Sequence, residues 1–348
     1  MKSIKYLSYL PVILTAAILL VFCSLFSGCY SLTQGVKLLG YLSKAVPLEK
    51  TGDAEFKQLV LDIRSFAINE LGLTMSKNYT TYVELDRDYL AAVVSASQRD
   101  SFQRHEWHFP VVGSMPYKGF FDIEDAVKER GKLEKKDLDI WIRKVSGFST
   151  LGWFKDPLYS YMREYSPGRL ADLIIHELVH STVFIKGQVT FNEELAEFIG
   201  SEGSRLYIET RYGTDSDEYR ELFESEENSQ NFVAFIQELI NELEIVYSEN
   251  SLDRNEKLAE KERIIKAAQE RFKSEYENRF TNDNYRGFPD MPLNNAYLEL
   301  FRLYHAEDNF YADLYERSGR SLPDLISAAK TIKKKGNPRE QLENALLK

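Results

Sequence analysis

The chain has 348 residues, a net charge of −10 and 28% charged residues. That length is enough to bury a sizeable core. The acidic balance, with no lysine- or arginine-rich face, argues against nucleic acid or an anionic membrane surface as a partner.

Residues 1–28 read as a targeting segment. Lys2 and Lys5 precede an almost wholly apolar run from Tyr9 to Phe26. Leu25-Phe26-Ser27-Gly28-Cys29 follows, and small residues before a cysteine resemble a bacterial lipoprotein signal. Cys29 is then the lipidated first residue. An uncleaved anchor is the alternative, since the apolar run is nearly long enough to span a bilayer. Either way the body is expected outside the cytoplasm, on the inner or the outer membrane. The only cysteines are Cys23 and Cys29, so the body has no thiol for a disulfide or a thiolate metal site. Any metal must be held by histidine and carboxylate.

Residues 30–76 have helical composition interrupted by Pro47. Residues 77–150 turn to β-formers. Tyr79–Leu85 and Tyr89–Ala96, with Asp86-Arg87-Asp88 between them, predict a hairpin. Phe109–Gly113 and Asp139–Val145 predict two more strands, with a helix from Ile123 to Arg130. The expectation is a sheet of about four strands, with Ile140–Ser149 as the edge strand beside a substrate cleft.

Ser166-Pro167 supplies a capping hydroxyl and a proline at the first helical position. Leu170, Ile174, Leu178 and Val179 then recur at helical spacing, and Lys186-Gly187 is the expected stop. Within this helix lies His176-Glu177-Leu178-Val179-His180. Residues four apart share a helix face, so His176 and His180 can grip one metal ion from one side. Glu177 sits close enough to polarise a metal-bound water and is poorly placed to be a ligand. Only five histidines occur in the chain, and two of them flank this glutamate at metal spacing. The pattern is that of a zinc peptidase.

A second helix is predicted from Thr190-Phe191-Asn192-Glu193-Glu194, capped by Thr190 or Asn192 with Glu193 in its first turn. A carboxylate from a second helix is the usual third zinc ligand, which assigns Glu193 and makes Glu194 the weaker candidate. Glu197, four residues on, faces the same way and is expected to accept a ring N–H from His176 or His180.

Residues 214–280 are highly charged and free of glycine and proline from Asp215 to Glu249 and from Leu252 to Arg279. Phe232, Phe235, Ile236, Leu239, Ile240, Leu243 and Ile245-Val246 form one apolar stripe; Ile264, Ile265, Ala268, Phe272 and Tyr276 form its match. A helical hairpin with its turn at Ser248–Asp253 follows, either packed on the body or serving as a protein-docking arm. Residues 281–348 open with a polar loop and continue as helices with a frayed end. Asn294, Asn295 and Tyr304 are candidates to close the cleft. Tyr304 is the candidate donor to a developing oxyanion, with His305 a weaker one.

Four segments together resemble the bacterial "predicted aminopeptidase" family of gluzincin-type metalloproteins. They are Phe109–Asp122, Val145–Pro157, His176–His180 with Phe191-Asn192-Glu193, and Leu293–Ala296. The resemblance implies His176, His180 and Glu193 as zinc ligands and Glu177 as the base. The Gly-x-Met-Glu-Asn sequence with which large zinc aminopeptidases hold a free α-amine is absent, so the mode of cleavage stays open.

The expected fold is α+β and mainly helical: a zincin-like catalytic domain with a small sheet. Residues 29–213 carry the N-terminal helices, the sheet and the zinc-site helices, residues 214–280 an inserted hairpin, and residues 281–348 the completing helices. The expected activity is zinc-dependent hydrolysis of peptide bonds by a membrane-tethered enzyme. An envelope scaffold with a structural or vestigial zinc site is the alternative.

Overall fold

The computed structural model describes residue 30 and residues 33–109, 113–146, 156–302 and 309–347. The targeting segment 1–28, Cys29, the block Ser149–Lys155, Tyr304 and His305 lie outside the described residues. The fold is mainly helical α+β, with three small sheets of two or three strands among the described residues. Two compact units share the chain.

The first unit is built from the described residues of Met1–Lys44, Tyr89–Gly147 and Leu293–Leu300. It contains a helix over 33–42 (α1), strands β3 (Ala91–Gln98), β4 (Trp107–Phe109), β5 (Gly113–Met115), β6 (Tyr117–Phe120) and β7 (Leu138–Val145), and helix α3 (Ile123–Glu134). Its main sheet has the order β6-β3-β7, antiparallel throughout. β3 is central and has neighbours on both sides, and its Ala-Ala-Val-Val-Ser-Ala-Ser run is buried on both faces. Among the described residues β7 lies at the edge of this sheet; residues 147–149 of the expected edge Ile140–Ser149 lie outside the described residues. Asn294 and Asn295 act here as clamps rather than as cleft residues. Asn294 donates to the Ile140 carbonyl at 3.0 Å, and the Asn295 amide donates to the carbonyls of Gln98, Arg99 and Ser101 at 3.0–3.2 Å. Asn295 is fully buried, and these bonds satisfy its amide protons.

The second unit holds Ala45–Asp88, Phe148–Pro292 and Phe301–Lys348. Its strands are β1 (Val46–Pro47), β2 (Thr81–Val83) and β8 (Leu158–Tyr159), in the order β1-β2-β8. The expected hairpin between Tyr79–Leu85 and Tyr89–Ala96 does not form: β2 and β3 belong to different sheets. β2 instead pairs parallel to β8, Tyr82 with Leu158 and Val83 with Tyr159. Alternation and turn residues report strands, but they do not report which partner a strand finds.

The helices of this unit are α2 (Ala54–Asn69), α4 (Pro167–Thr182), α5 (Val189–Tyr212), α6 (Asp217–Ser248), α7 (Arg254–Arg279), α9 (Phe310–Arg317), α10 (Leu322–Ala329) and α11 (Pro338–Leu346). The short α8 spans Asn295–Arg302. α6 and α7 pack through the two apolar stripes, with Phe272 meeting the rings of Phe232 and Phe235 edge-on. α7 opens on a capping box in which Asp253 accepts from Asn255 and Glu256 while Glu256 accepts from Asp253. The chain end is ordered helix rather than frayed: Leu342 of α11 is fully buried. Arg339 of α11 pairs with Glu194 of α5 at 2.6 Å.

Candidate metal centre

α4 begins where the sequence places it. Ser166 caps it, accepting from the Arg169 N–H at 3.5 Å, and Pro167 occupies the first turn. One face is fully sunk in the core: Leu170, Ala171, Ile174, Ile175, Leu178 and Val179 are at most 1% exposed. Each larger side chain contributes about 1.5–3 kcal/mol by leaving water. That burial fixes the rotation of the helix and turns His176 and His180 to one side.

α4 stops at Thr182, four residues before the expected Lys186-Gly187, which forms the following turn with Gly187 at φ +85°. Asn192 sets the connection. Its buried amide accepts from the Ile185 N–H and donates to the Ile185 carbonyl, both at 2.9 Å. α5 starts at Val189 with Gln188 at its cap position, so Thr190 and Asn192 lie inside the helix and Glu193 sits just past the first turn.

α4 and α5 approach closely because α5 has glycines where they touch. A Cβ on Gly200 would come within 2.6 Å of Asp172 Oδ1 and 3.2 Å of His176 Cβ; one on Gly203 would meet Ile175 at 3.1 Å. Asp172, Gly200 and Gly203 carry no signature a lone sequence would flag, because only the helix crossing gives them meaning.

The Nε2 atoms of His176 and His180 are 3.1 Å apart, with the rings nearly perpendicular at 84°. Glu193 Oε2 lies 3.7 Å from the first and 3.5 Å from the second. These three residues are the one metal-capable cluster among the described residues. Three donors at about 2.0–2.1 Å from a tetrahedral ion would be separated by roughly 3.3 Å. The observed triangle brackets that value, so the donor set fits a metal ion. His180 Nδ1 is buried with no partner among the described residues. Glu194 turns away to Arg339, and Glu197 is exposed.

The charges at the site are shaped by one another. The two imidazoles hold Glu193 down to about 2. Burial lowers His176, but Glu193, Glu177 and Asp172 outweigh it, and its net shift is upward. Burial drives the Glu177 carboxyl upward, with Glu193 adding to the rise and the two histidines opposing it. Asp172 is pushed up to about 6, mainly by the atoms packed around it at the helix crossing, although part of the residue meets solvent.

The arrangement offers three converging metal donors and, next along α4, a carboxyl with raised proton affinity. Residues 44–346 match a family model described as "Putative aminopeptidase". No curated protein and no solved structure matches the chain.

Proposed function

The chain belongs to this aminopeptidase family, and from that premise we propose that it is a zinc-dependent peptidase of gluzincin type. The observation that carries the reading is the convergence of His176 Nε2, His180 Nε2 and Glu193 Oε2, with Glu177 beside them. His176, His180 and Glu193 would hold Zn²⁺. When bound, the ion supplies Lewis acidity, polarising a carbonyl and bringing the pKa of a water toward neutrality.

The chain's own groups do the rest. Glu193 stays ionised across the physiological range, as a ligand must. Glu177 takes the proton of the attacking water and passes it to the leaving amine. Its burial suits both steps, because desolvation raises its affinity for the proton it must carry. The substrate is a peptide or protein. The leader directs export and a lipid on Cys29 tethers the body to a membrane, on the extracytoplasmic side of the envelope. Among the described residues no helix is long and apolar enough to cross a membrane.

The test is a digest of mixed peptides with free and N-acetylated termini, with and without chelator. Cleavage that is lost with chelator and with Glu177→Gln supports the reading, and acetylation distinguishes cleavage from the N-terminus from internal cleavage. A full complement of zinc with no cleavage of any peptide would favour the scaffold instead.

A further inference from the structure

Tyr30 follows Cys29 directly, and its side chain is already part of the first unit. Its ring centroid lies 5.4 Å from that of Phe120 and 5.8 Å from that of Phe109, and its hydroxyl donates to the Gly119 carbonyl. Lys118 Nζ sits over the same ring at 4.5 Å. β6 therefore holds the chain from Tyr30 onward, with no spacer between residue 29 and the fold. The apolar leader run ends at Phe26, and even a fully extended chain covers at most about 14 Å from there to Tyr30. A lipid on Cys29 and an uncleaved anchor thus bring the bilayer to the same part of this unit.

α1 comes next, and its faces are reversed from those of an ordinary surface helix. Its polar side chains turn inward. Gln34 Oε1 accepts from the Phe121 N–H at 2.9 Å. Lys37 Nζ pairs with Asp122 and, at 2.7 Å, with Asp125 of α3. The Tyr41 ring meets that of Phe121 at 5.9 Å. Residues 34, 37 and 41 share one side by helical spacing. The other side carries Gly35, Val36, Leu39 and Gly40, all uncharged. Val36 is 67% exposed and Leu39 53%, and nothing lies within 4 Å of a Cβ on either glycine. A helix on a water-facing surface gives its apolar stripe to the core and its charges to solvent.

We propose that the bilayer covers this face: Val36 and Leu39 enter the lipid beside the anchor, and the first unit rests on the membrane through α1. The contact is apolar and needs no anionic lipid, in keeping with the acidic balance of the chain. It rests on the membrane-tethered reading, and the two can fail separately.

The full-length protein, purified with its own anchor, is reconstituted in phosphatidylcholine vesicles. Val36→Cys and Leu39→Cys, each carrying a nitrobenzoxadiazole dye, are compared with Glu134→Cys at the far end of α3, with the dye-treated wild type as background. Spin-labelled lipid is expected to quench the dye at 36 and 39 at least about threefold more than at 134. Adding Val36→Asp to labelled Leu39→Cys should remove about half or more of that quenching at unchanged melting temperature, because a charge resists entry into lipid. Equal quenching at all three positions, or quenching indifferent to Val36→Asp, overturns the docking. A dye shielded from water yet unquenched by lipid also overturns it and marks a second copy or another protein on the face. A chain that fails to float with the vesicles overturns the tether, and the docking with it.

Discussion

Gly200 on α5 lies so close to Asp172 on α4 that a methyl group there would stand 2.6 Å from the Asp172 carboxylate and 3.2 Å from the Cβ of His176. The separation of two helices, and with it the distance between two histidines and a glutamate, is set by a missing side chain.

Gly200→Ala should therefore do two things at once. The Asp172 carboxylate can swing aside, but the Asp172 carbonyl and the His176 Cβ, both 3.2 Å from the added methyl, move only with the helix, and forcing the two helices apart costs about 1–3 kcal/mol. It should also weaken metal binding, since Glu193 moves with α5. Gly131 in α3 is the control, because nothing lies within 4 Å of a Cβ there. Gly131→Ala should stabilise the protein by about 0.5–1 kcal/mol and leave the metal untouched. Denaturant unfolding and chelator competition on both variants measure the contrast.

The three donors are expected to bind one zinc per chain. His176→Ala or His180→Ala should abolish stoichiometric binding, while Glu193→Gln should weaken it by about tenfold or more, because a neutral amide is a poor ligand for the ion. Metal analysis after dialysis against a chelator series reads both effects. Equal affinity in wild type and Glu193→Gln would remove Glu193 from the ligand set.

Glu177→Gln keeps the shape of the site and removes the base. Zinc should stay at one equivalent, and hydrolysis should fall by about 10²–10⁴-fold. Paired metal analysis and peptide digestion separate this from a loss of fold.

Without metal, the site should impose its own pH dependence on stability. Glu193 is depressed from 4.5 to about 2, so its contribution is present above pH 4.5 and is lost as the pH falls toward 2. His176 is raised above 6.5, so its contribution is present below pH 6.5 and is lost as the pH climbs through the folded value. The pair therefore favours folding most between pH 4.5 and 6.5. The gain is small, because Glu193 is half exposed and the contacts are 3.5–3.7 Å. Melting temperatures of chelated wild type and Glu193→Gln should differ most in that window and converge at pH 9.

Asn192 carries a structural prediction. Asn192→Leu leaves the buried N–H of Ile185 unpaired, while its C=O keeps the bond from the Gln188 N–H, at a cost of about 1–3 kcal/mol. Thermal melting should show that loss, and zinc affinity should fall with it as the turn before Glu193 loosens.

The sequence made the start and the facing of the histidine-bearing helix legible, because capping, apolar period and the His-x-x-x-His spacing agree along one local stretch, while its end came four residues early. The stripes of α6 and α7 were legible for the same reason. Pairing was not: β2 finds β8, some seventy-five residues away, and nothing local in Tyr79–Leu85 encodes that choice. The site's supports were hidden likewise. Asn192 looked like a cap for α5 and proved to be a clasp on Ile185. Asn294 and Asn295 looked like cleft residues and proved to grip backbone in the first unit. Gly200 acquires meaning only from what the fold sets against it.

The Arg339–Glu194 pair joins the last helix to the residue beside the third donor. A growing chain thus makes both imidazoles and their acid well before it makes the guanidinium that steadies the acid's turn. Any product ending ahead of Pro338 carries the full set of donors with that outer brace missing, and a fusion placed at the C-terminus pulls on the same lever.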